Sequence, residues 1–233
     1  MRATRPRLLI HMTADIALLT IREGALQVLV VERGTEPFRG RLALPGGFLR
    51  GSETLDDTAV RELREETGLD AARFHLEQVG VYADPHRDPR DPRVVTCSYL
   101  AIVPDPEAPV AGSDAAGTRW LPVDTVLASA DLLAFDHHKI LTDAVEQARF
   151  KLQHSAVATQ FCRPEFTIAE LRNVFETVWG QPLDGPNFHR KVTEAAGFIV
   201  PVGRQRKPAV GRPAALYRAG DATTLTPPIM RPA

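Results

Sequence analysis

Three glutamates, Glu62, Glu65 and Glu66, stand at i, i+3 and i+4 in a segment running from Thr54 to Gly68. On a helix, at ~100° per residue, that spacing gathers their carboxylates within roughly 100° of one another. Like charges so placed repel by a few tenths of a kcal/mol per pair on an exposed helix. Hard divalent cations seek oxygen ligands of this kind, and Mg²⁺ usually takes a few carboxylates plus substrate phosphates. The same residues also suit an ordinary acidic helix face. A second signal is the segment Asp84–Arg93, where three Asp-Pro steps mark successive turns. Its arginines Arg87, Arg90 and Arg93 have the fork geometry for phosphate or ribose oxygens, although a plain hairpin loop reads equally from the same residues. A third signal lies between Pro186 and Gly220. There Arg190, Lys191, Arg204, Arg206, Lys207, Arg212 and Arg218 accompany a single acid, Glu194. His137 and His138 are adjacent, so on a helix they point about 100° apart and read as structural. Cys97 and Cys162 lack metal or redox spacing and read as buried small residues.

These groups need elements to hold them. Thr54 and Asp57 form a capping pair and Gly68 a stop, so a helix is predicted over 54–67, with Leu55, Ala59, Val60 and Leu63 as its buried stripe. Alternating strands are predicted at 14–19 and 26–31 around a turn at Glu23-Gly24, and another strand at 94–103. A second helix is expected at about 136–152. Further on, Thr167-Ile168-Ala169-Glu170 is a capping box, and Leu171, Val174, Phe175, Val178 and Trp179 follow helical spacing to Gly180. Asp184-Gly185-Pro186-Asn187 opens another helix, expected to run to Ala196. Phe188, Val192 and Ala195 line its buried side, Arg190 and Thr193 its outer side, with Asn187 and Lys191 at the margins. Two helices across a short turn, the second with a basic outer face, suit a helix-turn-helix. Residues 198–202 and 214–218 read as wing strands joined by a basic loop, Gly203–Pro213. A helical accessory domain for dimerisation is the alternative. Thr226-Pro227-Pro228 reads as a frayed end.

The chain has 233 residues, 28 Lys plus Arg and 29 Asp plus Glu, which excludes a polycation or an acidic tail. Residues 1–160 hold 18 basic against 23 acidic side chains, whereas residues 161–233 hold 10 against 6. That asymmetry suggests two tasks, one on a polyanion. The two cysteines exclude a disulfide framework. No apolar run approaches the ~18 residues of a membrane helix, and the basic start is followed by too short an apolar run for a signal segment. A soluble, cytoplasmic protein is expected, with no membrane partner.

Gly47, Glu53 and Arg61-Glu62-Leu63-Arg64-Glu65-Glu66-Thr67-Gly68-Leu69 match the Nudix box at every fixed position. The second half completes a resemblance to the NrtR-type Nudix-related transcriptional regulators, bacterial repressors of NAD metabolism. It rests on Glu36–Phe48, Phe135–Leu141, Asn187–Lys191 and Gly211–Ala214. The resemblance implies an α+β chain: a Nudix-type α/β/α sandwich over residues 1–154, a winged helix over 155–226 and a tail over 227–233. It implies Glu62, Glu65 and Glu66 as ligands of Mg²⁺ or Mn²⁺ and Arg61 as the residue orienting a glutamate. Gly46 and Gly47 would let the backbone approach the ligand. Asp-Arg-Asp-Pro-Arg runs in ADP-ribose-type relatives imply a ligand role for Arg87, Arg90 and Arg93. Asn187, Arg190, Lys191 and Thr193 would meet DNA from the recognition helix, and Arg204, Arg206, Lys207 and Arg212 from the wing. The implied protein is a homodimer on a palindromic operator. ADP-ribose or a related NAD-derived nucleotide would release it, favouring a dimer whose winged helices no longer match the half-site spacing. An Mg²⁺-dependent ADP-ribose pyrophosphatase, its C-terminal domain serving dimerisation or specificity, is the alternative. A third reading joins both activities.

Overall fold

A computed structural model of the chain describes residues 8–69, 75–104, 115–207 and 212–232. The strands of the first part are β1 (Ile10–Arg22), β2 (Ala25–Arg33), β3 (Leu42–Ala43), β4 (Gly46–Phe48), β5 (Glu77–Tyr82), β6 (Arg93–Ile102) and β7 (Ala115–Pro122). Its helices are α1 (Leu55–Thr67), α2 (Val123–Leu127) and the long α3 (His137–His154). The seven strands form one sheet in the order β3-β2-β1-β6-β5, with β4 paired to β1 and β7 to β2. Glu23 and Gly24 turn β1 into β2 with φ of 52° and 75°, the pair of positive values that a two-residue hairpin turn demands. β1 is buried continuously from Thr13 to Thr20 and β6 from Val94 onward, so both are covered on both faces. The architecture is α+β, as expected.

Helix α1 starts and stops where its caps dictate. Thr54 and Asp57 form a reciprocal capping box, and Gly68 closes the helix at φ 72°. Its buried face differs from the expected stripe. Ala59 and Leu63 are fully buried, Leu55 is half-buried and Val60 is 38% exposed, while Thr58 and Glu62 take the inner face. Gly47 on β4 makes room on this face: a Cβ there would collide with the Glu62 carboxylate, so the missing side chain admits a buried glutamate.

The chain divides into two compact units. One takes residues to 18, 28–101 and 107–144, and the other 19–27, 102–106 and 145 onward. The second unit holds α4 (Ile168–Trp179), α5 (Gly185–Glu194), β8 (Ile199–Arg206) and β9 (Ala214–Ala219). Its core gathers Leu171, Phe175, Trp179, Phe188 and Phe198. The Phe175 ring meets Trp179 at 4.9 Å and Phe188 at 5.1 Å, both edge-on. Asp184 caps α5, which ends at Glu194 rather than Ala196. β8 and β9 are antiparallel, and Phe166 adds a bridge through two backbone hydrogen bonds with Tyr217.

Two expectations are corrected in this unit. The wing strand continues past Val202 to Arg206, because Gly203 at φ 76° absorbs a register shift between Pro201 and Gln205. Arg204 and Arg206 therefore sit on a paired strand rather than in a loop. The Thr226-Pro227-Pro228 segment is also not frayed. Leu225 and Ile229 are buried, and their N–H groups donate to the carbonyls of His154 (2.8 Å) and Gln153 (2.9 Å). Gly211, part of the basic loop, lies outside the described residues.

Candidate functional site

A cavity of about 450 Å³ opens beside α1, walled by β1, β2, β4 and the 87–90 turn. Glu62 and Glu66, one helical turn apart, both face into it. Glu66 accepts the Gly46 N–H at 3.0 Å. Burial, with the charges of Glu62 and Asp15 adding to it against that hydrogen bond, pushes the Glu66 carboxyl up to about 8. Glu65 takes a different course. It is 45% exposed and accepts both Arg50 guanidinium nitrogens at 3.1 Å, a contact that holds its pKa low.

Arg61 is the hub of this corner. It bonds Glu53 through Nε (2.6 Å) and Nη2 (2.9 Å), Glu62 through Nη1 (2.5 Å) and the Phe48 carbonyl through Nη2 (2.9 Å). The bond from Arg61 holds Glu53 down at about 2. Gly46 and Gly47 both line the cavity, and both are also required by packing. A Cβ at Gly46 would strike the Ala14 carbonyl and Asp15, as one at Gly47 would strike Glu62.

The three arginines of the turn are placed differently from one another. Arg87 is buried and bonds Asp136 through two nitrogens (3.0 and 2.7 Å), with Asp15 at 3.5 Å. Arg90 grips Asp88, and its guanidinium lies 4.8 Å from the Phe48 ring centre and 5.0 Å from that of Phe135. Arg93 donates to the Ala83 carbonyl and is not part of the cavity wall. Several wall residues were not singled out from sequence as site residues: Asp15, Arg33, Phe48, Phe135 and His137, the last read there as structural. Leu44 N–H donates to His137 Nδ1 at 3.0 Å, which leaves Nε2 facing Asp15 at 3.5 Å. Burial works against the Asp15 charge, but His137 and Arg87 keep its pKa below the ordinary value.

Among the described residues, no group of three or more His, Cys, Asp or Glu side chains is arranged to hold a metal ion. The cavity offers a two-carboxylate arrangement, Glu62 with Glu66. That fits Mg²⁺ binding in which one or two carboxylates are completed by ligand phosphates and water. Glu65 is held away from this pair by Arg50 and by Arg61, whose Nη1 donates to it at 3.2 Å.

In the second unit, α5 exposes Asn187, His189, Arg190, Thr193 and Glu194, with Lys191 half-exposed. Arg190 donates to Glu194 and to Asn187 Oδ1, both at 2.9 Å, and Thr193 Oγ1 bonds back to the His189 carbonyl. Arg204, Arg206, Lys207 and Arg212 are all exposed on the wing. Phe188 and Val192 anchor the opposite side of α5, which leaves the polar face to solvent.

Comparison with known proteins accounts for both units. The NUDIX domain model matches residues 11–144, and the NrtR DNA-binding winged helix domain model matches residues 158–219. The ADPR responsive transcriptional repressor NtrR of Acinetobacter baylyi is 34% identical over 209 residues, 89% of this chain and 81% of that one. The ADP-ribose pyrophosphatase of Methanocaldococcus jannaschii is 37% identical over 137 residues, 59% of this chain and 75% of that one. The crystal structure of Shewanella oneidensis NrtR complexed with a 27mer DNA is similar at TM-score 0.77 and 32% identity, covering 89% of this chain and 93% of that one. The NUDIX domain of the same protein complexed with ADP ribose gives TM-score 0.54 at 31% identity, over 63% and 92%.

Proposed function

The chain belongs to the Nudix family, in the NrtR-type branch that carries a winged helix behind the Nudix domain, and on that premise we propose that it is a nucleotide-responsive DNA-binding repressor. Its operator controls genes of NAD metabolism, and its ligand is ADP-ribose or a related NAD-derived nucleotide. The observation that carries this reading is the exposed face of α5, where Asn187, Arg190 and Thr193 stand clear of the apolar anchor. Asn and Arg are the side chains that form paired hydrogen bonds with base edges in the major groove. The basic wing, with Arg204, Arg206, Lys207 and Arg212, follows phosphates. Lys191 flanks the recognition face.

The cavity suits a dinucleotide-like diphosphate. Flat rings at Phe48 and Phe135, with Arg33 4.6 Å from the Phe135 ring centre, offer stacking surfaces for a base. Glu62 and Glu66 would hold Mg²⁺ or Mn²⁺ against the diphosphate. A bound divalent cation would neutralise phosphate charge and polarise the phosphorus–oxygen bonds. Arg61 keeps Glu62 in place. Arg87, already committed to Asp136 and Asp15, orders the wall. Arg90, paired with Asp88 over the Phe48 and Phe135 rings but more exposed than Arg87, would be the turn residue that meets the ligand. Ligand binding shifts the population of a homodimer toward a form of low operator affinity. The protein acts in the cytoplasm, where both its DNA and its nucleotide are found.

A second reading, hydrolysis of ADP-ribose to AMP and ribose 5-phosphate, is favoured by one observation: both Glu62 and Glu66 face the cavity. The two readings separate experimentally. Arg190→Ala and Arg206→Ala should each weaken duplex binding while calorimetric ADP-ribose binding stays at the parent level. Unchanged DNA affinity in both variants would remove the winged-helix assignment. Glu66→Gln should abolish any Mg²⁺-dependent release of AMP, and full retained turnover would reject Glu66 as a ligand.

A further inference from the structure

The wing arginines do not stand free in solution. Arg204 pairs with the Glu165 carboxylate. Arg206 donates through Nη1 to Glu170 Oε1 at 2.6 Å and through Nη2 to the Glu165 carbonyl at 2.9 Å. Glu170 is doing two things at once. Its Oε2 accepts the Thr167 N–H (2.7 Å) and hydroxyl (3.0 Å), forming the capping box of α4, while its Oε1 holds Arg206. The helix cap therefore fixes the position of the carboxylate that holds the wing. Read from sequence, residues 186–220 carry one acid; the fold brings two more, from just before and within α4, onto the arginines.

Exposed ion pairs of this kind contribute little to stability. Side-chain exposure is 67% and 35% for Arg204 and Glu165, and 42% and 48% for Arg206 and Glu170. Their chemistry points elsewhere. A carboxylate presents an arginine with the same bidentate oxygen pair as a phosphate. A duplex phosphate that takes either arginine must displace the carboxylate, which then stays nearby as a like charge. Binding to duplexes of arbitrary sequence comes almost entirely from phosphate contacts, so it bears this penalty without base contacts to offset it.

We propose that Glu165 and Glu170 are restraining residues that occupy the phosphate-binding guanidinium groups of Arg204 and Arg206 and hold down affinity for generic DNA. The proposal rests on the DNA-binding reading of the second unit. Its test uses the full chain and a fluorescent duplex of scrambled sequence at low salt, comparing parent, E165Q/E170Q, R204A/R206A and the quadruple variant. Gln at 170 keeps the helix cap, since either Glu or Gln serves at that position, and thermal melting confirms folding. The expected gain for E165Q/E170Q is on the order of fivefold per carboxylate, the strength of one arginine–carboxylate ion pair at about 4 Å in water that the phosphate no longer has to break. That gain should vanish in the R204A/R206A background. A gain that persists there would reflect net charge alone and overturn the proposal. Unchanged or weaker binding by E165Q/E170Q, with arginine-dependent binding in the parent, would overturn it while leaving the DNA-binding reading intact. No duplex binding by any of the four proteins would overturn both.

Discussion

Glu66 sits where burial, Glu62 and Asp15 all resist its ionisation, and its carboxyl keeps a proton up to about pH 8 instead of the ordinary 4.5. The sign of the resulting pH effect follows from linkage. Between pH 4.5 and about 8 the native state holds a proton that the unfolded state has released, so stability falls as pH rises through that window. The effect is on the order of a few kcal/mol, since a tenfold change in proton affinity is about 1.4 kcal/mol. Glu66→Gln removes the titration, and its melting temperature should lose this pH dependence; a slope equal to the parent's would exclude Glu66 as its source. Mg²⁺ binding must expel the same proton. The thermal stabilisation by Mg²⁺ should therefore be larger at about pH 9 than at about pH 6, and an equal gain at both would contradict the Glu66 ligand role. At the same scale, Arg190→Ala should weaken operator binding by about 1–3 kcal/mol and relax the base preference at one position, read by titrating single-base variants. The spacing of Glu62, Glu65 and Glu66 is visible in the sequence. What separates them is not, because the Arg50 that draws Glu65 outward and the Gly46 N–H that holds Glu66 come from other elements.

Helix α5 depends on one aromatic anchor more than on its caps. Phe188 is buried against Phe175, and truncation to Ala should cost about 3–5 kcal/mol. Phe188→Ala should thus lose DNA binding while ADP-ribose binding persists, measured by calorimetry. Loss of both together would show that the cavity requires an intact winged helix. Helix boundaries were legible wherever a cap fixed them: Thr54 with Asp57, Thr167 with Glu170, and the left-handed glycines at 68 and 180. Failures came where one element was shaped by another. Val60 read as core by helical spacing, yet the buried face of α1 is turned toward Thr58 and Glu62, where Gly47 on β4 makes room for the carboxylate. The wing strand read as ending near Val202, but Gly203 carries pairing past a bulge. Thr226-Pro227-Pro228 read as a frayed end, although Leu225 and Ile229 fasten that segment to α3 carbonyls.

For the molecule as a whole, the two motifs and their order were legible, since the Nudix box and the helix-turn-helix pattern each occupy contiguous residues, whereas the interleaving of the two compact units was not. The cavity wall was not. Arg87 finds Asp136 49 residues away and Leu44 finds His137 at 93, separations that carry no local periodicity. On the proposed reading the charge asymmetry between the halves gains a mechanism, with the basic second half serving the duplex and the carboxylate-bearing cavity serving the nucleotide. If the wing tracks phosphates as proposed, log affinity for DNA should fall against log salt with a slope of about −0.9 per phosphate contacted. A flat response would remove the wing from the interface. The most direct measurement of the central claim is a mobility-shift titration on DNA from upstream of NAD-biosynthesis genes, with and without ADP-ribose, recovering the nucleotide afterwards. The account predicts a specific complex that ADP-ribose dissolves. No specific complex, with AMP and ribose 5-phosphate produced under Mg²⁺, would contradict it and leave an enzyme in its place.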